Sequence, residues 1–137
     1  MALYLGLDCS TQSLTAIVID VADEGRRVVF ERSLEFDGDL PEYGTRHGVL
    51  PTDDLRVATS PPVMWADALD RLLGELAASG LGLSRLSAIA GSAQQHGSVY
   101  LTAHAGARLA SLDPARPLAG QLGGIFSRPV SPIWMDV

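Results

Sequence analysis

The first 36 residues read as three successive strands joined by short polar breaks, and this arrangement constrains the fold more than any other feature. In residues 2–8, Leu3, Leu5 and Leu7 share one face, while Gly6 leaves the other open to close backbone approach. The run ends in Asp8-Cys9-Ser10-Thr11-Gln12-Ser13, a turn signal. Residues 14–21 carry apolar side chains on both faces, as a central strand does. After Asp23-Glu24-Gly25, a hairpin-type turn, Val28, Phe30, Leu34 and Phe36 alternate with Val29, Glu31, Ser33 and Glu35, which reads as a strand with one face in water.

Residues 37–59 are punctuated by Gly38, Pro41, Gly44, Gly48 and Pro51 and keep no regular period. A connection of that length is usually functional or carries a small hairpin of its own. Ser60 as N-cap and Pro61 at the first helical position then predict a helix with Trp65, Leu69, Leu72, Leu73 and Leu76 on its core stripe and Gly80 at its end. Asp67 and Arg71 are an i,i+4 pair on its other face. Residues 86–93 read as a short buried strand of small side chains, and Val99, Tyr100 and Leu101 as another. Residues 103–132 are rich in Ala, Gly and Pro with helical hints near Leu109 and Leu122, and the segment from Pro132 to Val137 reads as the start of a strand.

Three meandering strands, a crossover helix and a strand parallel to the first open a mixed-sheet α/β layer. The right-handed crossover rule places the fourth strand beside the first. The polar clusters at residues 8–13 and 94–97 then leave the same sheet edge, where open α/β sheets bind ligands.

Composition removes several alternatives. A single Cys forms no internal disulfide, and Cys9 with the dispersed His47, His96 and His104 lacks zinc-ligand spacing, so the fold rests on apolar burial. Ten basic residues, all Arg, against 16 acidic ones, with no basic cluster beyond Arg26-Arg27, argue against a nucleic-acid partner. Without Lys there is no P-loop. No apolar run approaches the roughly 18 residues that span a bilayer, so the expectation is a soluble, cytoplasmic protein without a membrane partner. The 137-residue length suits one domain, and nothing in the sequence sets an oligomeric state.

Two clusters carry chemistry. The Asp8–Ser13 turn presents backbone N–H groups and hydroxyls to an anion, and a carboxylate there tolerates phosphate only with a cation between them; Mg²⁺ is the fitting bridge, with Asp8 orienting it. The same residues also suit an ordinary turn in which Asp8 or Ser10 bonds its own backbone. In Gly91-Ser92-Ala93-Gln94-Gln95-His96-Gly97, two amides and an imidazole suit a polyhydroxylated ligand, and equally a solvated loop. Ser92 does not sit in a GxSxG elbow, so a nucleophilic hydrolase is a poor reading. Trp134 and Asp136 offer a flat apolar face and an acceptor for a sugar; edge or core packing is the plainer role for the Trp.

Taken together, these segments resemble the N-terminal part of the FGGY carbohydrate kinases, most closely the eukaryotic-type xylulose kinases. The likeness rests on Tyr4-Leu5-Gly6-Leu7-Asp8-Cys9-Ser10-Thr11-Gln12, Asp39-Leu40-Pro41-Glu42-Tyr43-Gly44-Thr45, Thr59-Ser60-Pro61 with Met64-Trp65, Ala93-Gln94-Gln95-His96-Gly97-Ser98, and Pro132-Ile133-Trp134-Met135-Asp136, in that order. It spans essentially the whole chain. The resemblance implies a ribonuclease-H-like, actin-like ATPase layer and transfer of the γ-phosphate of MgATP to a sugar hydroxyl, most closely D-xylulose to D-xylulose 5-phosphate. It also implies that Asp8 helps position Mg²⁺ and phosphate, with Ser10, Thr11 and Gln12 forming the phosphate turn. His96 and Gln95 would bind the ketose, with Trp134 and Asp136 near it. Ser10 departs from the Gly common at its position, exchanging backbone freedom for a hydroxyl.

In the family the catalytic Asp and the adenosine-binding segments lie beyond residue 137. The expectation is therefore a partial N-terminal domain, residues 1–137, with no catalytic base of its own and inactive without a C-terminal domain as partner. A kinase for another sugar or polyol, and a non-enzymatic actin-like binding module, are the alternatives.

Overall fold

The computed structural model describes residues 2–22 and 25–137. Its first three strands are β1 (Ala2–Cys9), β2 (Ser13–Ala22) and β3 (Gly25–Glu35), paired antiparallel in sequence order. Asp23 and Glu24 of the expected hairpin turn lie outside the described residues. After a one-turn helix α1 (Phe36–Asp39), a 3-10 turn (Pro41–Tyr43) and a two-residue strand β4 (Thr59–Ser60), helix α2 (Pro62–Ala78) crosses over to β5 (Leu86–Ala93). β5 lies parallel to β1 on its free side, and the sheet order is β3-β2-β1-β5. The expected meander and crossover are both present, because a parallel neighbour can be reached only through a connection long enough to cross the sheet.

The core forms between one sheet face and α2. Leu3, Leu5, Leu14, Ala16, Val18 and Leu34 meet Met64, Ala68, Leu72 and Leu76, all buried. A fully buried Leu contributes about 1.5–3 kcal/mol of transfer free energy, so this layer is the main source of stability. The helix face differs from the sequence expectation. Leu72 and Leu76 are buried, but Trp65 and Leu69 are half-buried and Leu73 is 37% exposed, with Met64 and Ala68 taking the inner positions. Ala68 has no bulk to hold the helix away from the sheet; hydrophobicity alone ranks the larger Trp65 and Leu73 above it.

Three more expectations are corrected. Ser60 does not cap α2: Pro61 precedes the helix, and Ser60 is fully buried in β4, its hydroxyl donating to the Gly48 carbonyl at 2.6 Å. A buried hydroxyl takes the nearest free carbonyl. β5 is exposed beyond Leu86, with Ile89 63% exposed, because α2 packs over β2 and β3 and leaves this edge uncovered. Val99-Tyr100-Leu101 forms no strand; its pairing reduces to one bridge between Leu101 and Phe126.

The 37–59 segment does carry a small hairpin, the Arg46–Val49 bridge. The Asp37 carboxylate gathers it by accepting from Thr45 Oγ1 at 2.7 Å and the Gly48 N–H at 3.1 Å. Arg71 pairs with Asp67 at 3.0 Å and also with Glu42, and Tyr43 Oη donates to Asp67 at 3.2 Å, so the expected pair also pins this segment to α2. Helices α3 (Ala105–Ala110) and α4 (Leu118–Leu122) occur where the helical hints lay. The closing strand is only β6 (Ser131–Pro132), because its partner β4 is two residues long. Among the described residues no helix is long and apolar enough to cross a membrane.

Candidate functional site

The parallel register of β1 and β5 sets Asp8 beside Ser92 and Cys9 beside Ala93, so the Asp8–Ser13 turn and the Gln94–Gly97 loop leave the sheet at the same end. Asp8 is exposed on the face opposite α2, and its carboxylate accepts a hydrogen bond from Ser92 Oγ. A recess of about 240 Å³ opens on that face, lined by Gly6, Asp8, Thr15, Ile17 and Ser92 among others. Gly6 leaves it open: a side chain at this position would point into it.

The turn is closed by Ser10. Its N–H donates to the Ser13 carbonyl at 2.9 Å, and its hydroxyl accepts from the Ser13 N–H at 3.1 Å while meeting Ser13 Oγ at 3.0 Å. The Ser10 hydroxyl is therefore engaged in the turn itself, the role open to Ser and Asp in such sequences. Gln12 is exposed, and its carbonyl accepts from the Phe36 N–H at 2.9 Å. Thr11 Oγ1 donates to Gln94 Oε1 at 3.2 Å and accepts from Trp134 Nε1 at 2.9 Å.

Gln95 and His96 form the exposed turn after Gln94, with His96 in the left-handed region at φ 57°. Trp134 is 55% exposed and joins the cluster through Thr11. Asp136 goes elsewhere: its Oδ1 accepts from the Ala58 N–H at 2.9 Å, holding the segment before β4. Asp8, Thr11 and Trp134 are thus linked to residues at one end of the sheet, with Gln95 and His96 on the adjoining loop, whereas the Asp136 carboxylate is tied to local backbone.

The sequence reading puts Gln94 in this cluster but assigns the individual role to Gln95, and it gives Ser92 and Trp65 no place in the site. Gln94 is the amide engaged with Thr11, and Ser92 faces Asp8. The β1–β5 register carries the signal for both, since strands paired Cys9 to Ala93 put residues 8 and 92 side by side. With Cys9, Ala93, Gln94, Gly97 and Val99, Trp65 lines an apolar recess of about 170 Å³, and its buried Nε1 has no partner among the described residues. Burial, reinforced by the Asp8 charge, pushes the Cys9 thiol up to about 11, so it is a packing group and not a nucleophile near neutrality.

No family model matches the chain. Among curated proteins, the xylulose kinase of Mus musculus is 46% identical over 132 residues, covering 96% of this chain and 23% of that protein. Xylulose kinase 2 of Arabidopsis thaliana is 41% identical over 137 residues, covering 98% of this chain and 24% of that protein. Over almost its whole length the chain is similar to the N-terminal part of the xylulose kinases. It spans about a quarter of the length of these relatives. Among solved structures, the "xyloylose kinase" of Brucella ovis aligns with TM-score 0.65 at 23% identity, covering 98% of this chain and 21% of that one. A ligand-bound xylulose kinase of Lactobacillus acidophilus aligns with TM-score 0.63 at 17% identity, covering 99% and 20%. These likenesses show the actin-like ATPase fold that the sequence resemblance implied.

Proposed function

We propose that this segment forms one wall of the active-site cleft of a kinase that transfers the γ-phosphate of MgATP to D-xylulose, giving D-xylulose 5-phosphate. The observation that carries the reading is the 46% identity to a xylulose kinase across 96% of the chain. The convergence of the Asp8 turn and the Gln94–Gly97 loop supports it, because phosphoryl transfer depends mainly on positioning and charge stabilisation.

The residues fit Mg²⁺ in one particular way. Among the described residues no cluster of three or more His, Cys, Asp or Glu could cage a metal, and Asp8 stands as a lone carboxylate beside an open recess. Mg²⁺ keeps several waters and is commonly held by one or two carboxylates and the phosphates, so Asp8 suffices as an orienting ligand, through water. When bound, Mg²⁺ neutralises charge on the phosphate oxygens. The Thr11 N–H faces the phosphate, while the Ser10 N–H goes to the Ser13 carbonyl and the Gln12 N–H to Ser10 Oγ at 3.4 Å, bonds that hold the geometry of the turn. His96 and Gln95, exposed on their loop, hydrogen-bond the ketose hydroxyls, and the free face of Trp134 lies against the sugar carbons. Asp136 contributes by holding the Trp134 segment to Ala58. No residue of this chain serves as the base; a second domain supplies it and the adenosine contacts.

The test is sugar-dependent ADP production across a panel of ketoses, aldoses and polyols, by a kinase that carries this segment. D-xylulose is expected to be the preferred substrate, and His96→Ala to raise its KM. A clear preference for another sugar, or no MgATP or sugar binding, would overturn the reading. The 137-residue chain alone is expected to give no turnover.

A further inference from the structure

Thr11 stands between two residues far from it in sequence, Gln94 and Trp134, and one hydroxyl meets both. An indole N–H can only donate, so Trp134 Nε1, at 2.9 Å, occupies a lone pair of Thr11 Oγ1. The single hydroxyl hydrogen then goes to Gln94 Oε1 at 3.2 Å. Gln94 is itself anchored, its N–H donating to the Cys9 carbonyl at 2.9 Å. With its hydroxyl engaged at both ends, Thr11 can meet a phosphate only through its backbone N–H. Trp134 is 55% exposed, so packing alone leaves its ring free to turn.

We propose that Thr11 is a positioning residue whose hydroxyl sets the Trp134 ring and the Gln94 amide relative to the Asp8–Ser13 turn. One tight turn then fixes both the backbone that faces phosphate and the ring that faces sugar. What those surfaces face rests on the xylulose-kinase reading; the linkage itself does not.

The chain has two Trp, so two indole N–H resonances report the linkage, with Trp134→Phe assigning them and Trp65 serving as an internal control. Thr11→Val is expected to move the Trp134 resonance upfield and speed its solvent exchange about five- to tenfold, the effect of losing one hydrogen bond. The Trp65 resonance stays in place, and Thr11→Ser restores the wild-type signal. An unmoved Trp134 resonance in Thr11→Val overturns the proposal. Should that variant not fold, a nuclear Overhauser contact between the Trp134 indole N–H and the Thr11 methyl in the wild-type chain decides, its absence overturning the linkage. D-xylulose is then added to wild type and Thr11→Val. A sugar-induced shift of Trp134 that needs several-fold more sugar in the variant supports the positioning role, and equal responses overturn it. If the linkage signals behave as expected but sugar moves neither protein, the linkage stands and its role toward sugar is overturned, while the xylulose reading is decided by the substrate panel on the kinase that carries this segment.

Discussion

Gly48 lies directly against the Thr11 carbonyl: a methyl group built on Gly48 would sit 1.9 Å from that oxygen, at a residue whose φ is +77°. The hairpin of the 37–59 segment therefore buttresses the Asp8–Ser13 turn. Gly44 has a similar φ of +67° but open space around it. Gly44→Ala is expected to cost about 1–2 kcal/mol from the left-handed backbone alone. Gly48→Ala adds displacement of the Thr11 carbonyl, so it should lower the urea midpoint further and shift the Trp134 indole signal. Equal losses from the two variants would refute the buttress.

The two leucines of α2 at 72 and 73 should separate cleanly. Leu72 is fully buried against the sheet, and Leu73 is 37% exposed. Leu72→Ala is expected to cost about 2–5 kcal/mol through the cavity it leaves. Leu73→Ala should cost about 0.5 kcal/mol, as surface changes do. Urea denaturation of both variants tests this, and comparable losses would restore the leucine stripe read from the sequence.

Two acids with raised values make the fold sensitive to alkali. Burial and the Asp8 charge push the Cys9 thiol from 9.0 up to about 11, and burial with the Asp67 carboxylate pushes the Tyr43 phenol from 10.0 up to about 12. The folded state holds these protons more tightly than the unfolded chain, so their contribution is complete below pH 9 and declines as pH rises through 9–12. Thermal midpoints are expected to fall across that window, less steeply in Cys9→Ala. Rapid alkylation of Cys9 in the folded chain at pH 7.5 would contradict the raised thiol.

β5 presents an uncovered strand edge, with Ile89 63% exposed on the face that α2 covers elsewhere. Such edges template pairing with other chains. The chain is expected to self-associate as its concentration rises, and Ile89→Lys to weaken that association. Sedimentation velocity checks it; a monomer at all concentrations would remove the edge as the cause.

Much of the architecture is legible because neighbouring period-two runs have few alternatives. Leu3, Leu5 and Leu7 define one strand face, and polar breaks after Asp8 and before Gly25 force antiparallel neighbours. The strand order follows from the crossover through α2. Burial of β5 was not legible, since Ile89, Ala90 and Gly91 read alike in a covered strand and at a bare edge. The inner face of α2 departs from the leucine stripe for a related reason, as Ala68 enters the core by being small.

Local pattern, acting over a few residues, was enough to determine the four strands of the main sheet, their order and the meeting of the two polar clusters at one edge. Whether each polar group there is free or engaged depended on distances between segments far apart in the chain. Ser10 closes its own turn, Asp136 holds Ala58, and Thr11 joins Gln94 to Trp134 across 83 and 123 residues. A hydrogen bond is made or lost within a few tenths of an ångström, a tolerance that residue type and spacing cannot specify and only packing of the whole layer sets.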